Sequence, residues 1–165
     1  MSNPNLVAAY SEEPAARDWS ADQDIALRLW ATLWRCHATC AKAMATQVQE
    51  YDLTTPQFVV LEALHHLGSL PLGELAEKLL VTGGNVTYVM DRLEEKGLVS
   101  RFRPADDRRV VLAQLTPSGR RQMGEVFPNH VSRMEHLSRH LTSSEQKDLA
   151  RLLKKMGMGI RHQDL

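Results

Sequence analysis

The chain has 165 residues, 43% of them hydrophobic, enough for one compact domain or two closely integrated subdomains around a real core. Its 20 Lys and Arg balance 20 Asp and Glu, so the whole-chain basic signature of many nucleic-acid-binding proteins is absent. No run of 18 apolar residues exists to span a membrane, and the polar, acidic start lacks a signal peptide's basic end and apolar middle. Two cysteines make no disulfide framework, and the expected location is cytoplasmic.

The charge is unevenly placed. Residues 1–24 carry Glu12, Glu13, Asp18, Asp22 and Asp24 against Arg17, whereas residues 92–121 hold eight basic and four acidic side chains. Such a local basic stripe docks phosphates even on a neutral chain.

In chain order, residues 1–20 read as a mobile tail. A long helix follows from about Asp22 to Glu50 with two apolar rows, one through Leu29, Leu33, Cys36, Cys40 and Met44, the other through Trp30, Trp34, His37, Ala41 and Val48. A surface helix needs one such stripe; two call for two packing partners, one of them a second subunit. Thr55-Pro56 reads as an N-cap followed by Pro at the first helical position, opening a helix that Gly68 stops. Pro71 opens a short helix through Leu79 whose Leu72, Leu75, Ala76 and Leu79 face inward. Thr82 caps a third helix over about 83–96, with Val86, Val89, Met90 and Leu93 on its apolar face and Gly97 at the left-handed position beyond it. The period then changes: residues 99–103 and 110–115 read as two strands around the polar loop 104–109, a hairpin. Thr116-Pro117 starts another helix, interrupted at Pro128. Thr142-Ser143-Ser144-Glu145 is a capping box for a last helix carrying Leu149, Leu152, Leu153, Met156 and Ile160 on one face. The fold class expected is mainly α with a small β-hairpin wing, a winged helix-turn-helix. Residues 21–50 and 117–165 are the expected dimerisation helices, and 51–116 the DNA-binding domain.

Helix, short helix, helix, basic hairpin is the order of a DNA-binding unit. A recognition helix places its N-terminal residues against base edges in the major groove. Here that end reads Thr82-Gly83-Gly84-Asn85-Val86-Thr87-Tyr88. The glycines permit close approach, the free N–H groups suit phosphate, and Asn85, Thr87 and Tyr88 offer hydrogen bonds to bases, with the Thr87 methyl matching a thymine methyl. Arg92, further along, suits phosphate or an internal ion pair. Arg101 and Arg103 lie on the wing strand, and Arg108 and Arg109 at its tip, where an Arg enters a narrow minor groove. Asp107, odd on a DNA-facing loop, is expected to orient an Arg.

Three stretches resemble the MarR family of bacterial regulators, over about Asp24 to Ile160. They are Leu53-Thr54-Thr55-Pro56-Gln57-Phe58-Val59-Val60-Leu61; Val86-Thr87-Tyr88-Val89-Met90-Asp91-Arg92-Leu93-Glu94-Glu95-Lys96-Gly97-Leu98-Val99; and Asp106-Asp107-Arg108-Arg109-Val110-Val111-Leu112 with Leu115-Thr116-Pro117-Ser118-Gly119. The resemblance implies a triangular dimer built by the first and last helices, a pseudo-palindromic operator, and Arg109 reaching the minor groove. It also implies repression relieved by a small phenolic ligand or by cysteine oxidation. Many members carry Arg where this chain has Tyr88. Residues 82–89 and Phe127-Pro128-Asn129-His130 are most similar to a branch linked to quinone and electrophile stress.

The resemblance places an effector pocket between the dimer helices and the DNA-binding lobe, with Trp30, Trp34, His37 and His65 as candidate liners. A Trp stripe at helical spacing also reads as plain core. Cys36 and Cys40, one turn apart, are either packed small residues or sensors of oxidants and electrophiles. The reactive Cys of hydroperoxide-sensing members lies nearer the helix start, where this chain has Trp30, so that role does not transfer. Cys36, His37, Cys40, His65 and His66 also offer zinc ligands, though without zinc-finger spacing, and His136 and His140 share a helix face. No Ser/His/Asp order, paired apolar carboxylates or phosphate loop points to an enzyme or a resident cofactor. The expected partners are double-stranded DNA, a second copy of the chain and a small aromatic effector, with no membrane. The competing readings are a zinc-responsive regulator and a winged-helix protein-interaction module.

Overall fold

The structure, a computed structural model, describes residues 19–105 and 107–161. The tail expected over 1–20 lies almost wholly outside the described residues, as does Asp106. Its last residue, Ser20, caps the first helix: the Gln23 N–H donates to Ser20 Oγ at 3.3 Å, and the Ser20 N–H donates to Gln23 Oε1 at 2.7 Å.

The chain divides into two compact units between Ala41 and Lys42, inside helix α1 (Ala21–Gln49). In the first unit, Asp22 and Asp24 occupy the first turn, where carboxylates complement the helix dipole, and Asp24 pairs with Arg28 at 2.6 Å. Of the two apolar rows there, Leu29, Trp30 and Trp34 are exposed and Leu33 is half-buried; Ile25, a turn earlier, is exposed too.

In the second unit the end of α1 joins the core through Val48, with Met44 packed against it. Helix α2 (Thr55–Leu67) is capped by Thr54, one residue earlier than the sequence suggests. Thr54 Oγ1 accepts the Gln57 N–H, and Gln57 Oε1 accepts the Thr54 N–H at 3.0 Å. Gln57 is the reason: only a cap three residues before it closes the reciprocal box, which places Pro56 second in the helix.

Strand β1 (Leu70–Pro71) has no counterpart in the sequence reading. It pairs antiparallel with β3 (Leu112–Leu115), Leu70 opposite Ala113, and β3 pairs with β2 (Val99–Phe102), giving the order β1-β3-β2. Two residues are too few to show an alternation, and Pro71 reads as a helix opener. At a sheet edge, Pro's missing N–H is tolerated. Both hairpin strands are shorter than the alternation suggests, so the wing loop runs from 103 to 111.

Helices α3 (Leu72–Leu79) and α4 (Gly83–Glu95) stand either side of a turn in which Leu80 is left-handed, at φ 56°. Leu75, Val86, Met90 and Leu93 are buried against Phe58, Leu61 and Leu64 of α2. Gly97, at φ 69°, ends α4, supplying the conformation a side chain resists.

Helix α5 (Pro117–Ser138) runs through Pro128 without interruption, contrary to the break expected there. Pro128 and Gly124, whose carbonyl loses its usual donor, are both exposed, so the helix passes the proline on a face open to solvent. Met123, Val126 and His130 hold the helix to the core on either side. Helix α6 (Ser143–Arg161) starts at the expected capping box, with the Thr142 N–H on Glu145 Oε2 at 2.7 Å. Its row Leu149, Leu152 and Leu153 is exposed. No described helix is long and apolar enough to cross a membrane.

Candidate nucleic-acid interface

The N-terminal end of α4 is open. Thr82 is extended and its Oγ1 accepts the Asn85 N–H at 3.4 Å, fixing the first turn. Thr82, Gly83, Gly84, Asn85, Thr87 and Tyr88 are all exposed. A Cβ added at Gly83 or Gly84 meets nothing within 4 Å, so this chain's own packing does not require glycine at either place. The clearance is toward open space. The Thr87 hydroxyl donates to the Gly83 carbonyl at 3.0 Å, which leaves its methyl as the free surface.

Arg92 is turned inward on its own helix. Its guanidinium reaches Glu95 at 2.7 Å and lies 5.4 Å from the Tyr88 ring centroid. Glu95, and to a lesser degree the Tyr88 phenol, push the Arg92 pKa above its ordinary value.

Arg101, grouped above with the DNA-facing residues, is committed elsewhere. Its guanidinium meets Asp91 and Glu94 of α4 at 2.5 Å each, and its backbone N–H donates to Glu94 Oε1 at 2.7 Å. Glu94 is the main cause of a raised Arg101 pKa, against the penalty of burial. Arg101 is therefore a strut that fastens strand β2 to the flank of α4. Acids three apart on a helix that leads into a basic strand are the signal for it, but which face the strand crosses is a tertiary fact.

The wing is braced from within. Arg103 Nη1 donates to the Arg108 carbonyl at 2.8 Å. Asp107 Oδ1 accepts the Arg109 N–H at 3.0 Å and lies 3.5 Å from Arg109 Nε. The Arg109 side chain stays 95% exposed, and Arg108 is exposed beside it. The wing tip thus presents two cations on a loop whose backbone is tied down.

Lys96, at the other end of α4, bonds both the carbonyl and the carboxylate of Asp52, the latter at 2.8 Å, in the α1–α2 connection. A buried polar group that the sequence reading missed lies deeper: His130 Nδ1 is 3.3 Å from Gln47 Oε1 and Nε2 is 3.8 Å from Glu62, with the Phe58 ring at 4.6 Å. Gln47 also donates to the Asn129 carbonyl at 3.1 Å, so no buried side-chain polar atom among the described residues is left unpaired.

The effector candidates fall in both units. On α1 the Trp34 and His37 rings lie 6.3 Å apart, and Cys36 and Cys40 are free and exposed rather than core residues of this chain. Burial, then the neighbouring Cys36, pushes the Cys40 thiol up. In the second unit His65 packs on His66 at 5.3 Å and on Phe127 at 5.4 Å. It also lines a cleft of about 330 Å³ with Ser69, Gln114 and Arg120. Among the described residues no group of three or more His, Cys, Asp or Glu is arranged to hold a metal ion.

A helix pair, a second helix with an open N-terminus and a three-stranded sheet ending in a basic wing define a winged helix-turn-helix regulator. The MarR family profile matches residues 53–111. The HTH-type transcriptional regulator MhqR of Bacillus subtilis (strain 168) is 32% identical, over 82% of this chain and 93% of its own. The crystal structure of a mutant MarR from E. coli complexed with operator DNA superposes with a TM-score of 0.74 and 27% identity, covering 84% of this chain and 99% of that one. Bordetella bronchiseptica BpsR, whose DNA binding is regulated by 6-hydroxynicotinic acid, gives a TM-score of 0.71 and 28% identity over 79% of this chain and 98% of its own. The chain belongs to the MarR family, whose members are transcription regulators and not enzymes.

Proposed function

We propose that the protein is a cytoplasmic repressor that binds a pseudo-palindromic operator as a homodimer and is released by a small phenolic or quinone ligand or by an oxidant. The observation that carries the DNA reading is the pair of exposed ends on one lobe. The open α4 N-terminus at Thr82, Gly83, Gly84 and Asn85 meets base edges and phosphates. The braced wing tip offers Arg108 and Arg109 to the minor groove. Asp107 orients Arg109 and makes no DNA contact of its own. The operator complex of E. coli MarR supports this use of the fold.

Dimerisation through residues 21–50 and 117–165 is supported by the outward apolar rows of α1 and α6, large side chains that a soluble monomer seldom leaves in rows. An aromatic effector is supported by the 6-hydroxynicotinic acid response of BpsR, and the quinone-stress branch by the likeness of residues 82–89 and 127–130 noted above. For an oxidant or electrophile the exposed Cys36 and Cys40 are the targets, although a raised Cys40 pKa reduces its thiolate.

The test is fluorescence anisotropy on the DNA upstream of the chain's own gene, titrated with salt. Arg109→Ala is expected to weaken binding and to lower the log–log salt slope by about one. An unchanged isotherm refutes the wing role. Adding a quinone or a hydroxylated aromatic acid to the wild-type complex is expected to raise its apparent Kd; no change with either, or with peroxide, removes the effector reading.

A further inference from the structure

We propose that Tyr88 reads one base pair of each half-site and that Arg92, one turn further on, is a positioning residue for it rather than a phosphate contact. This rests on the DNA-binding reading above and divides the labour within that surface.

The two residues are four apart on α4, on the same exposed face. Tyr88 is 62% exposed, and its ring carries its own helix's Arg92, with the guanidinium 5.4 Å from the ring centroid. Arg92 in turn is gripped by Glu95, whose two carboxylate oxygens accept from Nη1 at 3.0 and 2.7 Å. Three exposed side chains therefore form one chain of contacts, Glu95 to Arg92 to Tyr88. Its charge is neutralised within the trio, and its outer end is the phenol hydroxyl. An arginine reaching for phosphate has to give up Glu95 and the ring. One left in place costs nothing on docking and keeps the ring in a single orientation, so that less side-chain freedom is lost when the phenol meets a base. A cation over the ring draws electron density from it, which favours the hydroxyl as a donor. In the major groove the acceptors are N7 and O6 of guanine, N7 of adenine and O4 of thymine, whereas cytosine presents an amino donor. With the phenol oxygen already accepting from Arg92, its hydrogen is what remains for the duplex, and the base facing Tyr88 is accordingly selected against cytosine.

The experiment starts from a pool of duplexes with a randomised centre, selected on the full-length wild-type chain. The recovered duplex and its single-base variants are then bound at several salt concentrations by wild type, Tyr88→Phe, Arg92→Gln and Glu95→Gln. Tyr88→Phe is expected to lose about fivefold discrimination against cytosine at one base pair of each half-site, the worth of one net hydrogen bond. Arg92→Gln is expected to lose discrimination at that same base pair while its salt slope stays at the wild-type value. Glu95→Gln, with the clamp open, is expected to follow Arg92→Gln in base preference. Unchanged melting temperatures, expected because all three side chains are exposed, tie these effects to the interface. An Arg92→Gln salt slope lower by about one, with base preference intact, makes Arg92 a phosphate contact and overturns the proposal. Intact discrimination in Tyr88→Phe overturns it too. A wild-type chain that selects no sequence at all overturns the DNA-binding reading, and this inference with it.

Discussion

Gly119 shows how narrow a single position can be. A Cβ there lies 2.0 Å from the carbonyl oxygen of Leu98, because the first turn of α5 is pulled onto the α4–β2 connection. Two bonds do the pulling: the Thr116 N–H to the Leu98 carbonyl at 3.0 Å, and the Thr116 hydroxyl to the Gly97 carbonyl at 2.7 Å. The clash is with backbone, which no side-chain rotation relieves. Gly119→Ala is expected to destabilise the fold by about 1–3 kcal/mol, as a drop in the urea midpoint with an unchanged slope. Gly83→Ala or Gly84→Ala, with open space at both, is expected to leave that midpoint within about 0.5 kcal/mol of wild type. The same glycine type thus answers to packing at one position and to open surface at the other two.

At the scale of elements, the capping devices set where helices begin and also how they respond to acid. Glu145 accepts from the Thr142 backbone and hydroxyl, and these bonds, the backbone one first, hold its carboxyl below the usual carboxylate range. A depressed carboxyl contributes stability that is present above its unfolded-state value and is lost as pH falls through the folded one. The protection of the amides in the first turn of α6, measured against the intrinsic exchange rate at each pH, is therefore expected to fall on acidification through the carboxylate range. Glu145→Gln is expected to flatten that dependence, and equal pH profiles for the two proteins contradict the assignment.

Legibility differed among elements for physical reasons. The α2, α4 and wing segments announced themselves through apolar spacing, caps and a change of period, because each of those signals is local. β1 did not, since two residues acquire strand geometry only by lying beside Ala113 and Leu112. Pro128 misled, because the cost of a missing N–H depends on whether water reaches the Gly124 carbonyl. Arg101 looked like Arg108 and Arg109 in the sequence; only the docking of β2 along α4 turned it toward Asp91 and Glu94. The α2 cap was legible one residue off, because two threonines in a row offered the same chemistry and Gln57 chose between them.

For the whole molecule, the decisive quantity is the apolar surface the isolated chain leaves open. Leu149, Leu152 and Leu153 of α6 are 44%, 52% and 42% exposed. Fully burying a side chain of this size contributes about 1.5–3 kcal/mol, so covering the half of each that is still open contributes roughly half as much, and two copies that bury such rows gain from associating. Sedimentation velocity at micromolar concentration is expected to give a dimer for wild type. Leu152→Glu with Leu153→Glu is expected to shift it to monomer while leaving far-UV circular dichroism largely intact. A wild-type monomer at that concentration refutes the dimer.

The fastenings of α4 have a mechanical consequence. Lys96 anchors one end of the helix to the α1–α2 connection, and Arg101 rivets its side to β2. A helix tied at its tail and along its flank resists sliding or rolling in a groove by itself. Whatever loosens the proposed grip on DNA is therefore expected to carry helix and wing away together, as a die lifts from a coin, unless it first breaks these three ion pairs.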